Sequence, residues 1–278
     1  MKRNFLVWTA LAAFWVTLVV AATAHFPEEA GWLPDVARAT LEGRVIRVYD
    51  GDTVEVDLGV GRLPRYERVR LLGIDTPELS DPPEYYAREA KGLLTRLVAH
   101  RRVRLEVVPG NERDGYGRLL AYIYVRRDGD WILVNGELLC LGAGEPLFVG
   151  EERYSEYLIQ CWVEAMAARR GKWGRYPGEV TPQELWADPL KYVLEGVTVR
   201  AVLVDVTETY DGLVLSCEGR FRFIVPKERL EAFPELDLAG LVPGTELVAS
   251  GVLKWDASGP YVELWGLLQI HSLGGDGG

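Results

Sequence analysis

Three short segments of this chain carry side chains that could work on a phosphodiester. They are Tyr49-Asp50-Gly51-Asp52-Thr53-Val54, Val69-Arg70-Leu71-Leu72-Gly73-Ile74-Asp75-Thr76-Pro77-Glu78, and Arg113-Asp114-Gly115-Tyr116-Gly117-Arg118-Leu119-Leu120-Ala121-Tyr122. Asp52 and Asp75 are hard oxygen donors of the kind Ca²⁺ takes. The Thr76 carbonyl and waters would complete an irregular shell, with Asp50 just outside it. Glu78 follows a proline that fixes the local backbone, so its carboxylate can be held toward a water as general base or as the group that orients that water. Arg70 and Arg118 are always charged. Their fork-shaped donors match a phosphodiester and the negative charge that builds up on a pentacoordinate phosphorus. Tyr116 and Phe148 offer flat faces for a base, a contact worth ~1–3 kcal/mol per base; for Phe148, core packing is the preferred role.

Taken singly, each segment has a bland reading. Asp-Gly-Asp favours a turn between strands. Asp-Thr-Pro-Glu reads as a helix start, with Thr76 capping and Pro77 in the first turn. Arg-Asp-Gly-Tyr-Gly-Arg reads as a hairpin. Together these readings fail, because three turns have no reason to carry the metal, base and arginine complement of one mechanism. Missing residues exclude other chemistries. His25, His100 and His271 are the only histidines, and none lies in these segments, which argues against a two-histidine ribonuclease or a histidine nucleophile. No Cys/His cluster has zinc spacing. Gly142-Ala143-Gly144 lacks the third glycine of a dinucleotide fingerprint and reads as a loop.

In order and approximate spacing the three segments resemble the staphylococcal (micrococcal) nuclease family, the thermonucleases, over about residues 43–174. The resemblance implies a calcium-dependent endonuclease that hydrolyses DNA and RNA with little sequence preference and leaves 3′-phosphates. Arg70, Glu78 and Arg118 would be catalytic, Asp52, Asp75 and Thr76 would hold the metal with Asp50 behind them, and Tyr116 would bind substrate. Two departures bear on affinity. Gly115 stands where relatives often carry lysine, and the run Cys140 to Phe148 stands where they often offer tyrosines to the nucleotide. The alternative is a catalytically inactive nuclease-like binding or scaffold protein at the cell envelope; retention of all five central residues argues against it.

The elements that must position these groups follow from periodicity. Residues 43–49, 53–58, 65–74, 103–108 and 119–125 alternate or run apolar as strands, and 84–100 places Ala87, Ala90, Leu94, Leu97 and Val98 at helical spacing. A second helix is expected over 151–170. The fold class is α+β, mostly β: a five-stranded Greek-key barrel of the OB type with packed helices. After a linker at 175–191, residues 192–273 read as a second small OB-like barrel, with strands at 197–206, 213–217, 220–225, 246–254 and 261–271 and a short helix near 227–233. Residues 274–278 read as a disordered tail.

Charge separates the halves. Residues 40–175 carry 21 Lys and Arg against 22 Asp and Glu, whereas residues 176–278 carry 7 against 16. The second barrel is therefore a poor partner for polyanions and better suited to contact with protein. The nuclease-like half, near neutral, should bind modestly and in a salt-sensitive way. At the N-terminus, Lys2 and Arg3 precede an uncharged apolar run to Ala24. It reads as a signal peptide or, uncleaved, a membrane anchor, with 25–42 as linker and the catalytic part outside the cytoplasm. Of the three cysteines, Cys140 and Cys161 could bridge in an oxidising compartment, but three buried free thiols is the preferred reading. Trp255, Tyr261 and Trp265 read as core more readily than as an exposed stacking face.

Overall fold

Along the first three strands branched apolar residues alternate with charged ones, and this period of two decides which face turns inward. In β1 (Leu41–Val48), β2 (Thr53–Asp57) and β3 (Tyr66–Leu71), the residues Val45, Val54, Val56, Val69 and Leu71 are buried and Glu55, Arg68 and Arg70 lie on the other side, while an irregularity between Val45 and Arg47 breaks the period and sets Arg47 opposite Glu55. The structure, a computed structural model, describes residues 34–59, 63–148, 153–176 and 178–274. The expected leader at 1–24 lies outside them, as do 275–278 of the expected tail. No helix among the described residues is long and apolar enough to cross a membrane.

With β4 (Arg102–Glu106) and β5 (Leu119–Arg127) these strands close a five-stranded barrel. β1 pairs antiparallel with β2 and β4, β2 with β3, and β4 with β5; the parallel pair β3–β5 completes the circle. A short β6 (Asp130–Leu133) extends β5. Helix α1 (Ala87–Val98) buries Ala87, Ala90, Leu94 and Val98, a spacing of three to four residues that lays one stripe on the barrel. Two further helices follow, α2 (Val134–Cys140) and α3 (Ser155–Ala167). Asn135 on α2 is fully buried; its Nδ2 donates to the Leu72 and Ala121 carbonyls and its Oδ1 accepts from Ile123 N, tying the β3–β5 seam to the helix.

Cys140 and Cys161 form a disulfide joining α2 to α3, which corrects the reading of three free thiols. The helices cross where the two cysteines face each other, a tertiary proximity with no local sequence signal. Cys217 alone is free, and it is buried.

The second barrel repeats the connectivity of the first. Its strands are β8 (Gly196–Thr209), β9 (Gly212–Cys217), β10 (Phe221–Pro226), β11 (Glu246–Asp256) and β12 (Gly259–Glu263). β8 pairs antiparallel with β9 and β11, β9 with β10, β11 with β12, and β10–β12 is the parallel pair. The expected strand at 261–271 is two strands, because a 3-10 turn at Leu267–Gln269 separates β12 from β13 (Ile270–Gly274). Gly274 thus ends a paired strand and does not begin a tail. The segment read as a linker at 175–191 is also structured. It carries a two-residue β7 (Glu179–Val180) paired with β8, and the short helices α4 (Pro182–Ala187) and α5 (Pro189–Tyr192). Thr181 and Glu184 form a capping box at the start of α4.

The two barrels belong to one compact unit. Arg229, on the 3-10 turn after β10, is 9 % exposed and places Nη1 at 2.7 and 2.8 Å from the two carboxylate oxygens of Glu156 on α3. Trp265 packs edge-on against Trp162 of α3, and Val252 of β11 enters the first barrel's core. Trp255, Tyr261 and Trp265 are all half-buried, between the two roles expected of them.

Candidate active site

The turn from β1 to β2 passes so close to the loop after β3 that only glycine fits at its centre. A Cβ on Gly51 would stand 2.5 Å from Thr76 Oγ1 and 2.9 Å from the Ala90 Cβ. That approach buries Asp52 against Thr76. Asp52 Oδ2 accepts from Thr76 N at 3.0 Å and Thr76 Oγ1 at 2.9 Å, and Oδ1 accepts from Thr53 Oγ1 at 3.0 Å. The Asp50 carboxylate accepts from Asp52 N at 3.0 Å. Burial raises the Asp52 pKa, Arg70 opposes this and Asp50 adds to it, leaving the carboxyl at about 6.

Arg70 is held from every side. Its Nη1 donates to the Leu71 and Ile74 carbonyls at 2.8 and 2.6 Å, Nη2 donates to Asp75 Oδ1 at 2.7 Å, and Nε lies 3.2 Å from Asp52 Oδ1. A guanidinium so fixed presents its remaining edge in one orientation. Asp75, by contrast, is half exposed. Its backbone is clamped: Asp75 N donates to Glu145 O and Glu145 N donates to Asp75 O, both at 2.8 Å. A Cβ on Gly144 would lie 2.1 Å from the Asp75 carbonyl, so the loop read as Gly142-Ala143-Gly144 supports the carboxylate-bearing segment. Lys172 Nζ in turn donates to Glu145 Oε1 at 2.7 Å.

No helix starts at Thr76. The chain runs as an extended loop from Thr76 to Tyr86, closed where Glu78 N donates to Glu84 Oε2 at 2.8 Å and Glu84 N donates to Glu78 O at 3.0 Å. Glu78 is exposed. Partial burial raises its pKa, as do Asp50 and Asp75, against the pull of Arg70.

Arg118 reaches the same place from a tight turn. Asp114 Oδ1 accepts from Tyr116 N and Arg118 N, and Asp114 Oδ2 accepts from Arg118 Nε at 2.6 Å. Burial would raise the Asp114 pKa, but these hydrogen bonds outweigh it and the net shift is downward. Arg118 Nη1 lies 3.4 Å from Thr53 Oγ1, which itself donates to Asp52. Tyr116 is 88 % exposed, its ring 5.4 Å from the Arg118 guanidinium carbon. Phe148 is half-buried against the first core.

The structure thus brings Asp50, Asp52, Arg70, Asp75, Thr76, Glu78 and Arg118 to one end of the first barrel, with Tyr116 at its rim. Sequence reasoning missed Glu145, Glu84 and Asp114. The first pairs across 70 positions and had no local signal; Asp114 could have been found from its place four residues before Arg118 in an Asx-type turn. Among the described residues, no three His, Cys, Asp or Glu side chains converge closely enough to hold an ion by themselves. A cation here would need carbonyl and water oxygens as well.

Residues 68–175 match the family model described as staphylococcal nuclease homologue. The thermonuclease of Staphylococcus intermedius is 33% identical over 135 residues, covering 47% of this chain and 75% of that protein. The chain belongs to the staphylococcal nuclease family. The thermonuclease of Staphylococcus hyicus is 29% identical over 167 residues, 59% of this chain and 92% of that protein. Endonuclease YncB of Bacillus subtilis (strain 168) is 33% identical over 129 residues, 45% of this chain and 57% of that protein. As a member of the staphylococcal nuclease family, the chain is a nuclease, a hydrolase acting on nucleic acid. The stretch matched by the family model holds Arg70, Asp75, Thr76, Glu78 and Arg118. Asp50 and Asp52 precede it, and the second barrel lies beyond it.

Proposed function

We propose that this nuclease is a calcium-dependent endonuclease that cuts DNA and RNA with little sequence preference, leaves 3′-phosphates and works outside the cytoplasm. The observation that carries the reading is the gathering of four carboxylates, Asp50, Asp52, Asp75 and Glu78, near one guanidinium, with the pKa of Asp52 and of Glu78 raised by burial and further by neighbouring carboxylates. Such an excess of hard, negative oxygen fits a divalent cation. Asp52, Asp75 and the Thr76 carbonyl would hold the ion, with Asp50 behind. When bound, calcium supplies charge screening at the phosphate and a fixed place for the nucleophile.

The chain's own residues supply the rest. Glu78, exposed and with a raised pKa, takes a proton from the attacking water or orients it. Arg70 and Arg118 donate to the phosphoryl oxygens as charge accumulates there; their partners fix both guanidinia in advance, so little reorganisation is left for the moment of reaction. Tyr116 offers a stacking face that is tolerant of base identity.

The Cys140–Cys161 disulfide supports an oxidising compartment. The apolar N-terminal run supports export or, if uncleaved, membrane anchoring, and the acidic second barrel is offered as a protein-contacting surface. The full chain, given a single-stranded DNA oligonucleotide with calcium or with a chelator beside Glu78→Gln, tests the central reading. Calcium-dependent cutting that collapses in the variant is expected; cutting that ignores both chelator and variant would overturn it.

A further inference from the structure

The face of the sheet that carries Arg70 does not end at the active site. On β3, Val69 and Leu71 point into the core while Arg68 and Arg70 share the outer side; on β2, Val54 and Val56 point inward while Thr53 and Glu55 share that same outer side. The register pairs Thr53 with Arg70, Glu55 with Arg68 and Arg47 with Glu55. Arg70 and Arg118 thus meet over the buried Thr53, and from Arg70 the outer face of the sheet leads on to Arg68 and, beside Glu55, to Arg47. Two residues along a strand advance it by about 6.6 Å, comparable with one step of an extended nucleotide backbone.

At its far end, Arg47 and Arg68 converge on one ring. Their guanidinium carbons lie 4.6 and 4.3 Å from the centroid of Tyr49, the residue just before Asp50. Both arginines are exposed, and among the described residues neither enters an ion pair. Arg65, Arg70, Arg113, Arg118 and Arg127 of this barrel are matched to carboxylates, whereas Arg44, Arg102, Arg104 and Arg126 also enter no ion pair among the described residues. What sets Arg47 and Arg68 apart is that they share one aromatic ring. Contact with Tyr49 raises the Arg68 pKa, and Glu55, which accepts from the Tyr49 hydroxyl at 3.2 Å, and Asp50 lie close enough to raise it further, so these carboxylates offset part of the cationic charge gathered on the ring. Two like charges gathered on one ring repel each other, and an anion between or beside them relieves that repulsion. The ring holds them there by its electron-rich face.

We propose that this surface, built by Arg47, Tyr49 and Arg68, binds the phosphates of single-stranded polynucleotide flanking the bond to be cut. It rests on the active-site reading above for its direction, since the track leads to Arg70 and Arg118. Because two guanidinia occupy the tyrosine ring, the surface grips backbone charge and leaves bases unread, which suits a nuclease indifferent to sequence. It also supplies cationic grip that the near-neutral charge of this half of the chain does not.

Binding separates this surface from the catalytic reading. Fluorescence anisotropy of the full chain, with chelator present, is measured for a long single-stranded oligonucleotide and for a trinucleotide, beside the double variant Arg47→Gln/Arg68→Gln. The long ligand should bind about tenfold more weakly to the variant, and the trinucleotide should change far less. The slope of log affinity against log salt should shrink by about 1.4, at roughly 0.7 for each phosphate that the variant no longer neutralises. Arg47→Lys/Arg68→Lys should restore that slope. An equal loss for both lengths, or an unchanged salt slope in a variant whose melting temperature is intact, overturns the proposal. Failure of the wild type to cut with calcium would instead count against the active-site reading and leave this binding result standing.

Discussion

The two barrels of this chain have the same strand connectivity and both pair many charges, but only the first gathers carboxylates at one end. In the first, four carboxylates stand near one arginine at the barrel's end, and burial, with neighbouring carboxylates adding to it, raises the pKa of Asp52 and of Glu78. In the second, charges are settled in pairs: Arg200 with Glu179 and Glu246, Arg222 with Asp256, Lys254 with Glu263. The difference lies in the connections. The β1–β2 turn is Asp50-Gly51-Asp52 and the β3–β4 connection carries Asp75, Thr76 and Glu78; the matching β8–β9 turn offers Tyr210 and Asp211, and the β10–β11 connection a 3-10 turn whose Arg229 grips the other barrel. One scaffold thus serves chemistry in one copy and packing in the other, because function sits in the loops.

The largest effect that could break this comparison is on cutting. Glu78→Gln should lower the rate by ~10²–10⁴-fold, the range a positioned general base supplies, while Asp211→Asn at the matching turn of the second barrel should leave it intact. Gel-based rates on a labelled oligonucleotide decide the matter; equal losses in both variants would mean that the barrels do not divide their roles this way. Next comes the disulfide. Replacing Cys140 and Cys161 with alanine should cost about 2–4 kcal/mol in urea unfolding, since the bond closes a span of 21 positions. Reductant should reproduce that loss in the wild type and do nothing to Cys217, whose buried thiol is pushed up to about 12. A wild type unmoved by reductant would contradict the bond's contribution.

Legibility in the sequence followed the same division. Both barrels could be read because their strands bury residues at a period of two: Val54, Val56, Val69 and Leu71 in one, Phe221, Phe223 and Val225 in the other. The candidate site residues could be named because each lies within a few positions of a turn-forming Gly or Pro. What could not be read were contacts between distant segments. Glu145 against Asp75, Cys140 against Cys161 and Arg229 against Glu156 each join positions that only the folded chain brings together, and α2 hid because a seven-residue helix shows barely two turns of periodicity. The segment at 175–191 looked like a linker from its prolines, yet Pro182 and Pro189 open helices there.

The joint between the barrels gives a smaller and sharper test. Arg229→Ala removes the paired contact to Glu156 and the Nε donation to the Trp265 carbonyl at 3.0 Å. Glu156 is half exposed and can rehydrate, which moderates the cost to roughly 1–3 kcal/mol. Calorimetry should show the wild type unfolding in one transition and the variant at lower temperature, with the second barrel melting first if the joint is what couples them. Two separated transitions in the wild type would show that the barrels were never coupled.

The smallest expected effect is the pH dependence of the calcium-free protein, because the two barrels pull in opposite directions. Asp52 has a folded pKa raised from 3.8 to about 6, so its contribution to stability is fully present below its unfolded value and is lost as pH rises through about 6. His271 is shifted the other way: burial lowers its pKa and nearby Arg169 lowers it further, while its Nε2 sits 2.6 Å from Ser250 Oγ. Its contribution is present above its unfolded value of 6.5 and is lost as pH falls through the lowered folded value. Their sum should leave melting temperature only weakly dependent on pH in that window. Asp52→Asn separates them: with chelator present, the variant should lose the decline on the alkaline side and gain on the wild type as pH passes about 6. Calcium should then lift the wild type most where Asp52 is ionised, since ion and proton compete for the same oxygens, and should lift the variant far less. Parallel melting curves for wild type and variant across this range would show that the burial of Asp52 against Thr76 does not govern its proton.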